Sequence, residues 1–180
     1  MDDTKLWKDF VSGNRKAFSA IFLDHYDTLF SYGVKLCGDK DMVQDCIQDL
    51  FLKLWKNHAA LKSLNHIKPY LLRSLRNQII DTLKLRSKLK FYNLNAIIDF
   101  KVEFTGADFS YDLQATEDRR KKVAESLNKL SPRQREVIYL RYFENLEFSI
   151  ISQVMDMNVQ SVRNILQRAK SSLKEKMIMR

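Results

Sequence analysis

The chain has 180 residues, room for one ordinary domain or two small ones, and 45% of them are apolar, too many for a disordered basic tail. Lys and Arg number 31 against 22 Asp and Glu, and this net charge of +9 favours a negatively charged partner. Only four glycines and two prolines occur, which disfavours a β-sandwich or β-barrel with many tight turns and favours an all-α fold.

The first 90 residues predict four helices that form one domain. A short amphipathic helix ends at Gly13, and a second helix runs from about Asn14 to Gly38, where a residue in the left-handed conformation can end it. Asp39 can cap the third helix, whose apolar residues keep the most regular helical period in the chain. They are Val43, Cys46, Ile47, Leu50, Phe51 and Leu54. Pro69 fits the first turn of the fourth helix.

Residues 91–116 interrupt the helical pattern. They mix aromatic, β-branched and turn-forming residues without a sustained apolar stripe, and residues 89–116 carry a net charge of −2 between blocks of +5 and +6. A segment of this length is too long for an ordinary loop inside a compact domain. We therefore predict a largely non-helical linker between two small helical domains, residues 1–90 and 117–180.

The second domain predicts a helix-turn-helix. Ser131 to Gln134 form a capping-box signature for a helix that should reach about Glu144, and a short helix near residues 148–155 follows. Asn158 can cap a final helix, which we call the recognition helix. Its exposed face carries Gln160, Ser161, Arg163, Asn164, Gln167, Arg168 and Lys170. Such side chains suit base edges and phosphates, so the helix is a candidate DNA reader; an ordinary solvated face is the alternative.

Two further surfaces are predicted on the first domain. One side of the third helix carries what we call the acidic stripe, formed by Asp45, Gln48, Asp49 and Leu52. This stripe suits a basic protein surface, although a solvated face with one exposed leucine would have the same pattern. The fourth helix is instead crowded with cations, among which lie Tyr70 and Asn77. This mixture suits single-stranded or distorted nucleic acid, and the helix dipole accounts for part of the cationic end.

The sequence contains no recognisable catalytic constellation. His25, His58 and His66 fall in no HExxH or triad-like context, and no glycine-rich phosphate loop occurs. Cys37 and Cys46 lie on apolar faces outside any metal-ligand spacing, which indicates core residues in a reducing compartment. No signal-peptide-like segment or membrane-length apolar run occurs. We therefore expect a cytoplasmic protein that is not an enzyme, with no metal, no cofactor and no small-molecule substrate.

Two sequence blocks resemble, in order, domains 2 and 4 of an extracytoplasmic-function (ECF) sigma factor of bacterial RNA polymerase. The first block includes DMVQDCIQDLFLKLW and IKPYLLRSLRNQIIDTLKLRSK, and the second is LNKLSPRQREVIYLRYFENLEFSIISQVMDMNVQSVRNILQRAKSSLKEK. A helix-turn-helix alone would also fit many response regulators, so the first block decides the resemblance. The chain departs from the family pattern at Lys84 (usually Arg), Asp156 (usually Gly) and Glu147 (usually Ser).

The resemblance implies promoter-specific transcription initiation. The clamp of core RNA polymerase would bind the acidic stripe, and the recognition helix would read the −35 element of promoter DNA. The −10 element would be read by what we call the −10 set: Lys62, His66, Tyr70, Arg73, Arg76, Asn77, Asp81, Lys84 and Arg86. The resemblance also implies an anti-sigma factor as partner, of a kind that can be membrane-bound.

Two other classes of protein compete with this interpretation. An operator-binding repressor or activator would need a dimerisation element or an effector pocket, and the sequence has neither a heptad pattern nor an obvious effector domain. A helical RNA-binding protein or nuclease would need, for cleavage, a metal-binding carboxylate cluster that the sequence lacks. Run-off transcription with core polymerase separates the three classes.

Overall fold

The computed structural model describes residues 2–86, Phe100 and 116–178, with side chains up to residue 174. Every regular element in this part of the chain is helical, which confirms the all-α fold class. The described residues divide into two compact units, one built mainly on the first four helices and one mainly on the last four, with Gln153–Asp156 grouped with the first. Of the predicted linker, all but Phe100 and Thr116 lies outside the described residues.

The helices follow the predicted order. The first unit contains α1 (Asp3–Val11), α2 (Arg15–Cys37), α3 (Lys40–Lys56) and α4 (Ile67–Arg86), with a short 3-10 turn at His58–Ala60. The second unit contains α5 (Glu117–Asn128), α6 (Pro132–Ile138), a π-helical turn (Tyr139–Phe143), α7 (Phe148–Val154) and α8 (Val159–Ile178). Within the described ranges, no helix combines the length and hydropathy that crossing a bilayer requires.

The ends of α2 and α3 form where the capping residues predict them. The Asn14 side chain accepts hydrogen bonds from the Lys16 and Ala17 backbone N–H groups, at 2.9 and 3.3 Å. Gly38 ends α2 with φ 74°, the left-handed region that favours glycine. The Asp39 side chain then accepts from the Met42 N–H at 2.9 Å, so one tight turn joins two long helices.

The core of the first unit depends on a close approach of α2 to α3. All six predicted core positions of α3 are buried. Gly33 of α2 faces them, and a Cβ atom at this position would lie only 2.6 Å from Cγ1 of Val43. Trp7 and Phe10 of α1 are each 1% exposed, so the short N-terminal helix is part of the same core.

The second unit confirms the capping box but not the predicted length of the helix after it. The Ser131 Oγ accepts from the Gln134 N–H, and the Gln134 Oε1 accepts from the Ser131 N–H. The α-helix ends at Ile138, however, and a π-helical turn follows, in which the Glu144 N–H donates to the Tyr139 carbonyl. The Tyr139 ring, at the start of this turn, lies 5.7 Å from the ring of the buried Phe100.

Candidate functional site

The acidic stripe forms one exposed side of α3. All four of its side chains are exposed, and Leu52 is 59% exposed. The opposite side of α3 is the buried face, and no residue of the acidic stripe belongs to it. Within the stripe, Asp49 accepts a long hydrogen bond of 3.4 Å from the Gln78 side chain on α4.

An open apolar groove lies beside the acidic stripe, between α2 and α3. Its volume is about 650 Å³, and Gln48 and Leu52 of the stripe form part of its wall. The α2 wall includes Phe22, Tyr26 and Leu23, and Leu23 is 73% exposed. Sequence reasoning missed this contribution of α2. The periodicity of α2 identifies its buried face, but it does not show which helix lies beside its remaining residues.

The −10 set lies on α4 and on the loop before it. Six of its members are exposed and three, Tyr70, Arg76 and Lys84, are half-buried. The exposed members are Lys62, His66, Arg73, Asn77, Asp81 and Arg86. The core side of α4 is buried as predicted at Leu72, Leu75 and Ile79, while Leu83 is only half-buried. The result is a basic surface in which hydrogen-bonding and aromatic groups are interspersed.

Two cations at the end of α4 already have carboxylate neighbours. Lys84 Nζ lies 3.3 Å from Asp81, one turn earlier on the same helix. Arg86 Nη1 lies 2.9 Å from Asp39, the cap of α3. The pKa of the Asp39 carboxyl lies below its ordinary value. The hydrogen bond from the Met42 backbone N–H is the largest cause, and the neighbouring Arg86 lowers the pKa further. Arg86 therefore also has a structural role, joining the end of α4 to the start of α3.

The recognition helix α8 presents the predicted polar face. Six of the seven predicted residues are exposed and Ser161 is half-buried, while Val162, Leu166 and Ala169 are buried on the opposite side. Asn158 caps the helix as predicted, because its Oδ1 accepts from the Ser161 N–H at 2.7 Å. Asp156 has φ 52°, so it adopts the left-handed conformation that the turn requires without the usual glycine.

Aromatic side chains near α8 contact two of its cations. Two guanidinium groups lie over the ring of Phe148 on α7. The Arg163 group is 5.8 Å from the ring centre, and the Arg141 group is 5.2 Å from it. Lys170 Nζ lies 5.9 Å from the ring centre of Tyr142, which the π-helical turn leaves 55% exposed. Sequence reasoning placed both aromatic residues on predicted helices but missed their contacts with Arg163 and Lys170, because each contact joins residues that are distant in sequence.

The histidine and cysteine side chains have ordinary structural environments. Burial lowers the pKa of His25 and raises the thiol pKa of both Cys37 and Cys46, which keeps the thiols protonated and weakly nucleophilic. Cys46 is a core residue as predicted, whereas Cys37 is half-buried. Among the described residues, no three His, Cys, Asp or Glu side chains are grouped so as to hold a metal ion.

Comparison with known proteins agrees with this division into two units. Residues 21–89 match the family model for sigma-70 region 2, and residues 120–173 match the model for sigma-70 region 4. The chain is 22% identical over 171 residues to the ECF RNA polymerase sigma factor SigK of Mycobacterium tuberculosis (strain H37Rv), covering 91% of this chain and 88% of SigK. The SigK of Mycobacterium ulcerans is also 22% identical, over 96% of this chain and 92% of its own.

Two solved structures share the fold. CnrH, in complex with the cytosolic domain of CnrY, superposes with a TM-score of 0.61 at 20% identity, over 99% of both chains. RpoE of Bartonella quintana, in complex with the anti-sigma factor NepR, gives a TM-score of 0.60 at 20% identity, over 90% of this chain and 97% of RpoE. The two family matches together cover about two thirds of the chain, in the order typical of sigma factors. The chain belongs to the sigma-70 family and is an ECF sigma factor, a protein of transcription initiation.

Proposed function

We propose that this sigma factor binds core RNA polymerase and directs it to promoters by recognising both a −10 and a −35 element. Residues 1–90 would act as sigma domain 2, residues 91–116 as the linker, and residues 117–180 as sigma domain 4. The observation that carries the proposal is the separation of surfaces in the first unit. An acidic and apolar surface lies on α3, and a basic surface lies on α4 and the loop before it.

Core polymerase would bind the acidic stripe. Carboxylates at Asp45 and Asp49 attract a basic clamp surface and fix its register, while Leu52 supplies exposed apolar area. The groove beside the stripe extends that apolar area onto α2, where Leu23 is the most exposed large apolar residue of the wall. An exposed apolar surface next to charged residues is typical of a protein-binding site.

The −10 set would recognise the opened DNA strand. Its cations can follow the phosphate backbone, and Tyr70 and Asn77 supply stacking and hydrogen bonding to unpaired bases. The exposure of Lys62 and His66 in the loop and of Arg73 and Asn77 on α4 supports this role.

The recognition helix would read the −35 element in the major groove. Arg163, Asn164 and Gln160 lie in its first two turns, the part of a helix-turn-helix that contacts base edges. The side chains of Gln160 and Asn164 hydrogen-bond to each other at 3.0 Å, which orients both amides. Lys170 lies further along the helix and suits a phosphate contact.

An anti-sigma factor is the proposed regulatory partner. RpoE, which shares the fold of this chain, is in complex with the anti-sigma factor NepR. The apolar groove between α2 and α3 offers such a protein a surface next to the acidic stripe, so that its binding would compete with core polymerase.

Run-off transcription tests the proposal. The full chain is added to core polymerase on a library of DNA fragments that is randomised at both promoter elements, and the transcribed sequences are read. Enrichment of two short elements, dependent on the added chain, supports the proposal. The proposed role needs no catalytic residue in this chain, because the polymerase performs the chemistry. DNA binding without transcripts would instead indicate an operator-binding regulator, and RNA cleavage would indicate a nuclease.

A further inference from the structure

The loop between α3 and α4 is attached to α1 through side-chain hydrogen bonds. This loop, residues 57–66, is called the −10 loop here because it holds two members of the −10 set. In its middle, the Trp7 indole N–H donates to the Lys62 carbonyl at 2.9 Å. Immediately after it, the Ile67 backbone N–H donates to the Asp3 carboxylate at 3.0 Å. Both bonds span more than fifty residues of sequence, so they fix the loop to a distant segment.

A third attachment lies at the start of the loop. The His58 Nδ1 atom lies 3.0 Å from the carbonyl oxygen of Val11, the last residue of α1, in hydrogen-bond contact. The His58 ring also packs near the Phe10 ring, at 6.3 Å between centres. Apart from the 3-10 turn at His58–Ala60, the loop has no regular structure of its own. Its shape therefore depends on α1.

Trp7 is the central residue of these attachments. It is 1% exposed, and its ring makes an edge contact with Tyr70, at 5.4 Å between ring centres. One indole thus contacts two members of the −10 set, the backbone of Lys62 in the loop and the ring of Tyr70 on α4. Trp7 contacts Lys62 only at the carbonyl oxygen of Lys62, and the Lys62 side chain remains exposed.

Asp3 fixes the start of α4 in a similar way. The first N–H groups of a helix have no partner within the helix, and a carboxylate at this end also interacts favourably with the helix dipole. Asp3 of α1 supplies this carboxylate to Ile67, so the orientation of α4, and with it Tyr70 and Asn77, is tied to α1. Residues 3–11 precede the segment that matches the region 2 family model.

We propose that α1 is a positioning element for −10 recognition, with Trp7 and Asp3 as its positioning residues. This inference rests on the proposed function of the −10 loop. Reading an unpaired base requires side chains held within a fraction of an ångström, and a loop without regular structure achieves this only through a rigid support. In this chain, α1 is that support.

The test uses the randomised promoter library with holoenzyme that contains either the full wild-type chain or its Trp7→Phe variant. Phenylalanine keeps an aromatic ring in the core but removes the N–H donor. We expect the ratio between preferred and disfavoured −10 sequences to fall about two- to tenfold, the range that corresponds to one lost hydrogen bond. Preference at the −35 element and affinity for core polymerase should remain unchanged.

Two further variants complete the design. Tyr139→Phe is the control: it also removes one hydrogen-bond donor from an aromatic residue, but the acceptor is Glu144 in the second unit, so it should keep the −10 preference. Asp3→Ala removes the acceptor for Ile67 from a half-buried position and should weaken the −10 preference as Trp7→Phe does. It also decides the question if Trp7→Phe fails to fold.

Unchanged −10 preference in both Trp7→Phe and Asp3→Ala, with native circular dichroism, would overturn the inference. The inference would also be overturned if the −35 preference and the affinity for core polymerase fell as much as the −10 preference, because such a result indicates general destabilisation. His66→Ala separates this failure from that of the proposed function. If His66→Ala alters the −10 preference and the α1 variants do not, only the role of α1 is wrong. If none of these variants alters it, the −10 loop does not read DNA and both proposals fail.

Discussion

The guanidinium of Arg163 lies over the ring of Phe148, 5.8 Å from its centre. Arg141 lies over the same ring at 5.2 Å, and its Nη1 donates to the Leu146 carbonyl at 2.9 Å. Phe148 therefore orients a residue of the recognition helix from the helix before it. A side chain that is already oriented loses less conformational freedom when it binds, which favours affinity.

The first prediction is that Phe148→Leu weakens −35 binding even though Phe148 is not itself a proposed DNA contact. Leucine keeps the apolar volume but removes the aromatic face, whose interaction with a cation at an exposed site is worth about 0.5–1 kcal/mol. We expect the affinity of holoenzyme for −35 duplex to fall by roughly two- to fivefold. Phe143→Leu makes the same chemical change at a ring that stacks on Tyr139, and it is the matched control. Equal losses in both variants would contradict the orienting role.

The second prediction separates base reading from phosphate binding on α8. Arg163→Ala should cost on the order of 1–3 kcal/mol at the preferred sequence and relax the preference at one −35 position. Lys170→Ala should weaken binding to all sequences alike and reduce the slope of log affinity against log salt by about one. Titrations of both variants on preferred and scrambled duplexes, at several salt concentrations, provide the comparison. If the two variants behave alike, the assignment of separate roles is wrong.

The third prediction concerns the acidic stripe. Asp49→Arg places like charge against a basic clamp surface, which can cost several kcal/mol and lower the affinity for core polymerase by roughly a hundredfold or more. The fold should persist, because Asp49 is exposed and its only described hydrogen bond is the long one from Gln78. Non-specific DNA binding should stay the same or tighten slightly, since the variant gains positive charge.

Asp27→Arg is the control for this third prediction. Asp27 is an exposed residue of α2 outside both the acidic stripe and the wall of the groove, and the variant has the same change of charge. Its affinity for core polymerase should be close to that of the wild type. An Asp49→Arg protein with native circular dichroism and normal core affinity would refute the role of the stripe.

The fourth prediction is that Gly33→Ala destabilises the first unit. Alanine is the better helix former by about 1 kcal/mol, but its Cβ would lie 2.6 Å from Val43 Cγ1 and 3.1 Å from Cγ2. Valine side chains are stiff and the site is buried, so overpacking of this kind costs about 1–3 kcal/mol. Urea unfolding measures the net loss. In a Val43→Ala background the same change should cost less, and a cost that does not depend on Val43 would contradict the close approach.

Most of the helical framework could be predicted from local sequence. Caps such as Asn14, Asp39 and Ser131 bond to backbone groups within three residues, so the printed sequence contains both partners. The regular apolar period of α3 likewise predicts its buried face, and with it the exposure of the acidic stripe. Left-handed backbone at Asp156 was also predictable, since Asp tolerates that conformation better than most residues.

Other features depend on partners that are distant in sequence or on geometry without a strong local signal. Trp7 reads as an ordinary core residue, and nothing near it indicates a bond to the carbonyl of Lys62, 55 residues later. The π-helical turn at Tyr139–Phe143 follows a sequence that also fits a continuing α-helix. Leu23 becomes part of a groove only through the packing of α2 on α3.

The ion pair between Arg86, at the end of α4, and Asp39, the cap at the start of α3, would have to break before Arg86 could bind DNA. A phosphate that takes Arg86 must displace Asp39, which lies 2.9 Å away and would then need a cation from solution. Ions released from the DNA backbone would be partly offset by ions recruited to that carboxylate. Arg86 therefore adds less to the salt dependence of promoter binding than a solvated arginine would, and its contact with DNA would leave Asp39 as the cap of α3 without its cationic neighbour.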